Sequence, residues 1–586
     1  MNVSRKAELC LAMSFMLVSP ALWAVDRAKP STIKMIVSGA PPALAENLQV
    51  YLPDRRKLGC NSPREAVQRF IDASQRKLIE ATEAMGFFNA KLDMEPLRQG
   101  ACWVLSLKVQ TGLPVRVEQS NVKLVGEGQS FFAFRNVLDE YPYNPGDVFI
   151  SQGYEDFKKG LTRVATRYGF FDAKFKQRQV QVNVDEHTAV VNVDYDTGVR
   201  YRLGEVNVQQ EVLKDRFLKR YIRLHSGDYY DSTKLLEQQR ILEGSGYYKD
   251  VEINTRYRDA KDGQVPLAIT AITRKRYSYL ANLGYATDTG VRIKGQAEAH
   301  WVNKRGHKME SGFLYSKPEA EIKASYKVPL WKPEKEYASL SGGWRSSDND
   351  DIKSDALNLE FSYNRRNDSD WGQTAFIKYL NEKTQVKGQA ANRAQQTLIG
   401  ARLSKTKSDD PLFPTQGWRL QAELQGSHES LLSDQTLLQG SLSGRYLYTL
   451  DNKGKVLVQG NVGATWIDAF DNMPKSLRFF AGGQNSVRGY DFESIGEEDA
   501  GGNIIGGKNL LTAGLEYERP VWEKISAAAF VDAGSAFDDW GNPRTKVGVG
   551  VGARYRSPVG PIRVDLAVPT EDSSDVHFYF GLGPDL

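Results

Sequence analysis

A guanidinium and a carboxylate can form a flat, two-pronged pair, and two segments late in this chain supply one of each. The first is Gly482-Gly483-Gln484-Asn485-Ser486-Val487-Arg488-Gly489-Tyr490, within a long stretch between Phe480 and Leu510 that lacks a strand pattern. A loop of that length is functional or disordered. The second is Phe530-Val531-Asp532-Ala533-Gly534. Side chains alternate across a strand, so if Val531 and Ala533 face lipid, Asp532 faces the other way. Arg488, on a loop tucked inside a closed sheet, could then meet Asp532 in a partly dry interior, where an arginine fork suits a carboxylate.

No other residue set points to bond-making chemistry. Gly548-Val549-Gly550-Val551-Gly552-Ala553 fits a loose dinucleotide pattern, but its glycines alternate with valines inside a strand and no helix follows. They read instead as a thinned inner face that leaves room for the loop. Gly506-Gly507-Lys508-Asn509 lacks the hydroxyl of a phosphate loop, and Glu497-Glu498-Asp499 reads as a solvated charge run. No Gly-x-Ser-x-Gly elbow or metal-spaced histidine pair occurs, and the six histidines are scattered. The expectation is no catalytic set, no metal, no cofactor and no enzyme activity. A net charge of +5 on 586 residues, without a basic stripe, argues against nucleic acid and is compatible with anionic lipid heads.

The elements that must position Arg488 and Asp532 are strands. From Trp418 to Gln425 apolar and polar residues alternate without a break. The same pattern carries Val456, Val458, Val462, Ala464 and Trp466, then Val547 to Tyr555, then Ile562 to Val568, and ends on Val576, Phe578, Phe580 and Leu582. Charged residues are 25% of the chain and its mean hydropathy is −0.48, so no apolar run is long enough for a membrane helix. A membrane barrel escapes that test because lumen-facing residues dilute its apolar ones. Eight of the ten tryptophans lie beyond Tyr277, as expected of interfacial girdles. The length from 275 to 586 allows about 16 strands. The polar stretches Ser346 to Lys353 and Lys383 to Ala394 read as outer loops.

Ahead of the barrel a motif recurs roughly every 80 residues. Met85-Gly86-Phe87-Phe88, Tyr168-Gly169-Phe170-Phe171 and Ser245-Gly246-Tyr247-Tyr248 each follow a helical pattern and precede a strand. The glycine ends the helix in a left-handed conformation, and the aromatics enter the strand behind it. The expected unit is an α+β sandwich ordered strand, helix, helix, strand, strand, with an open sheet edge. Boundaries fall at 31–112, 113–198, 199–274 and 275–586. Residues 1–24 read as a secretory signal: Arg5 and Lys6, an apolar run from Leu9 to Val18, and a small residue at Ala24. An exported chain sits where disulfides persist, and Cys60 and Cys102 are expected to pair.

Val-Arg-Gly-Tyr in a long loop, Phe-x-Asp-x-Gly on a late strand and repeated modules together resemble the Omp85 superfamily, over nearly the whole mature chain. The resemblance implies POTRA modules in the periplasm and a barrel in the outer membrane. Val487, Arg488, Gly489 and Tyr490 would form a lumen-loop lock with Asp532, framed by the barrel motif Phe530 and Gly534. Three modules and the terminal Gly-Leu-Gly-Pro-Asp-Leu are similar to the TamA branch. That branch implies an insertase for unfolded outer-membrane clients such as autotransporters, with an inner-membrane TamB-like partner on the first module. The seam between first and last strands would bring Tyr277 and Tyr279 toward Phe578, Phe580, Gly581 and Gly583, with the glycines and Pro584 weakening it. Rival readings are a two-partner-secretion pore, a porin, and an anchored enzyme.

Overall fold

The computed structural model describes residues 33–52, 58–100, 102–451, 453–558 and 560–583. The expected signal and the terminal Pro584 lie outside them. The chain divides into two compact units, one ending at Tyr201 and one beginning at Arg202.

The first unit holds two modules of like topology. One comprises β1 (Lys34–Ser38), α1 (Pro42–Tyr51), α2 (Arg64–Ala84), β2 (Lys91–Gln99) and β3 (Cys102–Gln110). The next comprises β4 (Arg116–Val125), α3 (Phe132–Asp139), α4 (Ser151–Tyr168), β5 (Lys174–Asn183) and β6 (Thr188–Asp196). In each sheet the last strand is central, parallel to the first and antiparallel to the second. Val67, Ile71, Leu78 and Ala81 recur at helical spacing along α2 and are buried with Leu105 and Leu107 of β3. Cys60 and Cys102 form a disulfide. Tyr143 is buried between its bonds to the Ile150 carbonyl and the Tyr154 amide, and burial pushes its hydroxyl up to about 12.

The second unit starts with a third module: β7 (Arg202–Gln209), α5 (Asp215–Leu218), α6 (Ser232–Gly244), β8 (Tyr248–Thr255) and β9 (Gln264–Thr273). Gly86, Gly169 and Gly246 all take positive φ, at 89°, 81° and 81°. Phe87 packs on the core of the first module and Phe88 on the core of the second; Phe170, Tyr247 and Tyr248 are fully buried. In the first and third modules the helix stops at Ala84 and Gly244, two residues before the motif glycine. Each sheet has two outer strands. Part of the first strand is covered in the second and third modules, where 146–149 bonds to β4 and 227–228 bonds to β7.

Sixteen antiparallel strands then close a barrel. They are β10 (Tyr277–Ala286), β11 (Gly290–Ala299), β12 (Lys308–Tyr315), β13 (Glu319–Pro329), β14 (Glu336–Asp348), β15 (Ile352–Arg366), β16 (Gly372–Val386) and β17 (Asn392–Ser408). The circuit continues with β18 (Gly417–Ser427), β19 (Leu437–Thr449), β20 (Lys455–Ile467), β21 (Asn509–Pro520), β22 (Ile525–Phe537), β23 (Lys546–Ser557), β24 (Gly560–Pro569) and β25 (His577–Leu582). On β15, Leu357, Leu359 and Phe361 are exposed on the outside while Ser354, Ala356 and Ser362 are buried inside. Greasy outside and polar inside is the pattern of a barrel in lipid. No described helix is long and apolar enough to cross a membrane.

The expected outer loops shrink. Ser346 to Asp348 belongs to β14, Ile352 and Lys353 belong to β15, and only 349–351 intervene. Lys383 to Val386 and Asn392 to Ala394 are likewise strand. Polar composition misled because the inner face here is wet in character yet covered: Ser347, Ser354, Thr384 and Gln396 are buried beneath the 468–508 loop.

Candidate functional site

β22 turns Phe530, Asp532 and Gly534 inward, because Val531 and its odd-numbered neighbours face out. Arg488 meets Asp532 in a fork: Nε donates to Oδ2 at 2.6 Å and Nη2 to Oδ1 at 3.1 Å. The Arg488 backbone N–H adds a bond to Oδ2 at 3.3 Å. The guanidinium carbon lies 3.4 Å from the Phe530 ring centroid, a cation–π stack. Gly534 supplies space, since a Cβ there would sit 2.8 Å from Val487 Cγ2. The three motif positions on β22 therefore stack, pair and make room.

Sequence reasoning missed the rest of the cluster. Arg488 Nη1 also donates to Glu516 of β21 at 2.8 Å and approaches Asp565 of β24 at 3.5 Å. Arg554 of β23 bridges the same two carboxylates, each at 2.5 Å. Two guanidiniums thus face three carboxylates, with Asp532 fully buried and the others nearly so. Burying charge is tolerable only when partners satisfy it, and here every fork is engaged. Inward parity on consecutive strands was the available signal for Glu516, Arg554 and Asp565.

The inner-face glycines of β23 lie under the loop. A Cβ on Gly548 would stand 1.8 Å from the Arg488 carbonyl oxygen, on Gly550 2.3 Å from the Phe530 ring, and on Gly552 2.0 Å from an Asp565 oxygen. Gly489 takes φ 94° against β24, where a Cβ would meet the Val568 carbonyl carbon at 2.7 Å. Tyr490 donates its hydroxyl to the Val547 carbonyl at 3.3 Å.

A further missed residue, Tyr579, connects the loop tip to the seam. Its hydroxyl accepts from the Gly489 N–H at 3.1 Å, and its ring is buried with Ala286, Phe530 and Ala567. Among the described residues two register pairs join β25 to β10, Tyr285 with Phe580 and Ala286 with Tyr579, and Tyr579 belongs to the second. Just beyond them the Thr287 N–H donates to the Phe578 carbonyl at 3.0 Å. By contrast β15 and β16 pair from Ile352–Val386 through to Arg366–Gly372.

Among the described residues, Tyr277 to Gly284 find register partners on β11 alone. Tyr277 and Tyr279, expected at the seam, have no register partner among the described residues of the last strand and are exposed. The physical reason is the brevity of β25. Gly581 pairs with Arg563 of β24, and Gly583 takes φ 143° and donates back to Pro561 rather than across the seam.

The Omp85 superfamily domain matches residues 274–585, which is the barrel and more than half of the chain. The chain belongs to the Omp85 superfamily. A POTRA domain of the type called TamA domain 1 matches 34–111, and a POTRA domain described as a surface antigen variable number repeat matches 201–272.

Outer membrane protein assembly factor BamA of Nitratidesulfovibrio vulgaris is 21% identical over 439 residues, covering 70% of this chain and 53% of the relative. BamA of Neisseria meningitidis serogroup B is 20% identical, covering 64% and 52%. The chain spans about half the length of these curated relatives. A crystal structure of Haemophilus ducreyi BamA lacking POTRA domains 1–3 matches in fold with a TM-score of 0.67 at 17% identity, covering 80% of this chain and 99% of that one.

The Omp85 barrel is an outer-membrane barrel, with its POTRA domains in the periplasm. The superfamily serves outer-membrane protein assembly and translocation.

Proposed function

We propose that this Omp85 protein is an assembly factor that helps β-barrel clients, autotransporters among them, fold, insert and be secreted through the weak seam. The two-pair seam carries this reading. An unfolded barrel brings strand edges that lipid cannot satisfy, and the free length of β10 from Tyr277 to Gly284 offers an edge to pair with. The Arg488–Asp532 lock holds the loop tip against β21–β25, so the last strands keep their shape while the seam opens.

The POTRA domains take the periplasmic side of the task. Outer sheet strands in the first module suit strand addition by an inner-membrane partner of TamB type, and the TamA-type match at 34–111 supports that choice. Removing the protein and measuring the outer-membrane proteome tests the proposal. Loss of autotransporters and other barrels is expected; an unchanged set of barrels contradicts it.

The rival reading, a translocation pore of the two-partner-secretion kind, predicts a large steady current from purified protein in planar bilayers. The assembly reading predicts little current, because the loop occupies the lumen. Deletion of 31–112 is expected to abolish recovery of the inner-membrane partner.

A further inference from the structure

The loop that presents Arg488 is held at a second place, on the wall away from the seam. Lys475 is buried and donates to Ser347 Oγ at 3.0 Å and to the Ile352 carbonyl at 2.9 Å, and it pairs with Glu493 at 3.1 Å. Glu382 of β16, with no exposed surface, accepts the Ser476 N–H at 3.1 Å and its hydroxyl at 2.5 Å. Gln439 of β19 donates to the Leu477 carbonyl at 2.7 Å. Arg478 ties the two limbs of the loop by donating to the carbonyls of Met473, Asp471 and Ile505.

Beneath these polar contacts lies an apolar floor. Leu380, Leu398 and Leu437 are buried, and Met473 and Leu477 of the loop pack on them. The inner face of a membrane barrel is ordinarily polar, so leucines pointing inward are stable only where something keeps water off. The floor therefore matches a permanent occupant. The tip is seated differently: Val487 is buried with Ala481 and Ile495 of the loop itself, with Tyr490 and Leu510 packed beside them, and its anchors on β21–β24 are a charge cluster, which water can solvate once the tip leaves.

We propose that residues 473–478 are a fixed plug, seated by Glu382, Lys475 and the leucine floor, and that only the tip, Gly482 to Tyr490, moves. The two anchors are independent. Releasing Arg488 frees the tip toward the seam without opening the lumen, so a client can be handled at the seam while the membrane stays sealed. Glu382 and Lys475 are positioning residues in this scheme.

The test uses the full-length protein in two readouts. In the first, Arg488→Ala keeps its bilayer current within about two-fold of the parent, whereas Glu382→Gln with Lys475→Met, or Met473→Ser with Leu477→Ser, raises it by about ten-fold or more, as independent sites should behave. Heat-modifiable migration on gels checks that each variant is a folded barrel. In the second readout a bulky maleimide probes Val487→Cys and Met473→Cys, each with and without Arg488→Ala.

Both thiols are protected in the parent. Arg488→Ala exposes the Val487→Cys thiol and leaves the Met473→Cys thiol protected. The proposal is overturned if Arg488→Ala opens the current by itself, if it exposes both thiols alike, or if folded socket variants stay at the parent current. Should the socket variants not fold, the thiol pair decides alone, because it leaves the socket's polar anchors intact.

Discussion

Two ladders of the same barrel differ sharply. β15 and β16 run fifteen residue pairs side by side, while β25 and β10 meet in two. Both are antiparallel and bathed by the same lipid on their outer faces, so composition does not separate them. What separates them is satisfaction of the backbone. An unpaired peptide group at bilayer depth costs several kcal/mol, so the long ladder is a wall and the short one is a place where a new strand gains by adding. The lumen loop respects the difference: its tip fastens to the five strands that lead to the seam, and its other arm is seated on the wall away from it by Lys475, Glu382 and the leucine floor.

The contrast can be broken at the tip first. Replacing Arg488 by alanine strands three buried carboxylates with one guanidinium, and losing a buried partner typically costs about 3–5 kcal/mol. The expected outcome is a protease-sensitive tip and reduced client assembly with the barrel still inserted. Reversing both charges, Arg488→Asp with Asp532→Arg, tests the pair itself; partial recovery is expected, tempered by Glu516 and Asp565. A steric break comes next. Gly548→Val places carbon where the Arg488 carbonyl now lies, and overpacking of this kind costs roughly 1–3 kcal/mol, read as loop proteolysis.

Smaller effects sharpen the comparison. Tyr579→Phe keeps the ring at the seam but removes its bond to the Gly489 N–H, a loss of about 1 kcal/mol that should uncouple tip from seam without unfolding either. Thiol labelling of the loop tip reads it. The smallest concerns a surface pair of the second module. Hydrogen bonding to Lys176 holds the Asp196 carboxyl below its usual range, with help from the Gly198 N–H. A folded-state pKa lowered below the ordinary carboxylate value of about 4 contributes stability that is fully present above that value and is lost as pH falls below it through the folded-state pKa. The thermal midpoint of a fragment covering 33–201 should therefore fall slightly on acidification, and Asp196→Asn should remove that part of the fall. Solvent screening keeps the effect small.

Much of this was legible in the residues. Alternation gave the barrel strands, because period-two patterning survives wherever one face meets lipid. The glycine-aromatic repeats gave the module ends, because positive φ selects glycine. Arg488 and Asp532 stood out through an arginine in a long loop and an aspartate flanked by apolar neighbours. Glu516, Arg554 and Asp565 did not, since one inward charge on a strand resembles any lumen residue until register aligns it with others. Register around a closed sheet depends on strand tilt and stagger, which local pattern does not encode. The same ignorance hid the role of Tyr579 and put Tyr277 and Tyr279 opposite the last strand. The leucine floor escaped notice because inward apolar residues make sense only once the loop covers them.

The central claim is that the seam opens for clients, and a reversible lock tests it most directly. Tyr285 and Phe580 are register partners, so Tyr285→Cys with Phe580→Cys can join β10 to β25 by a disulfide. Oxidised protein is expected to lose client assembly and to regain it on reduction, with either single variant active throughout. Full assembly by the oxidised, joined protein would contradict the account.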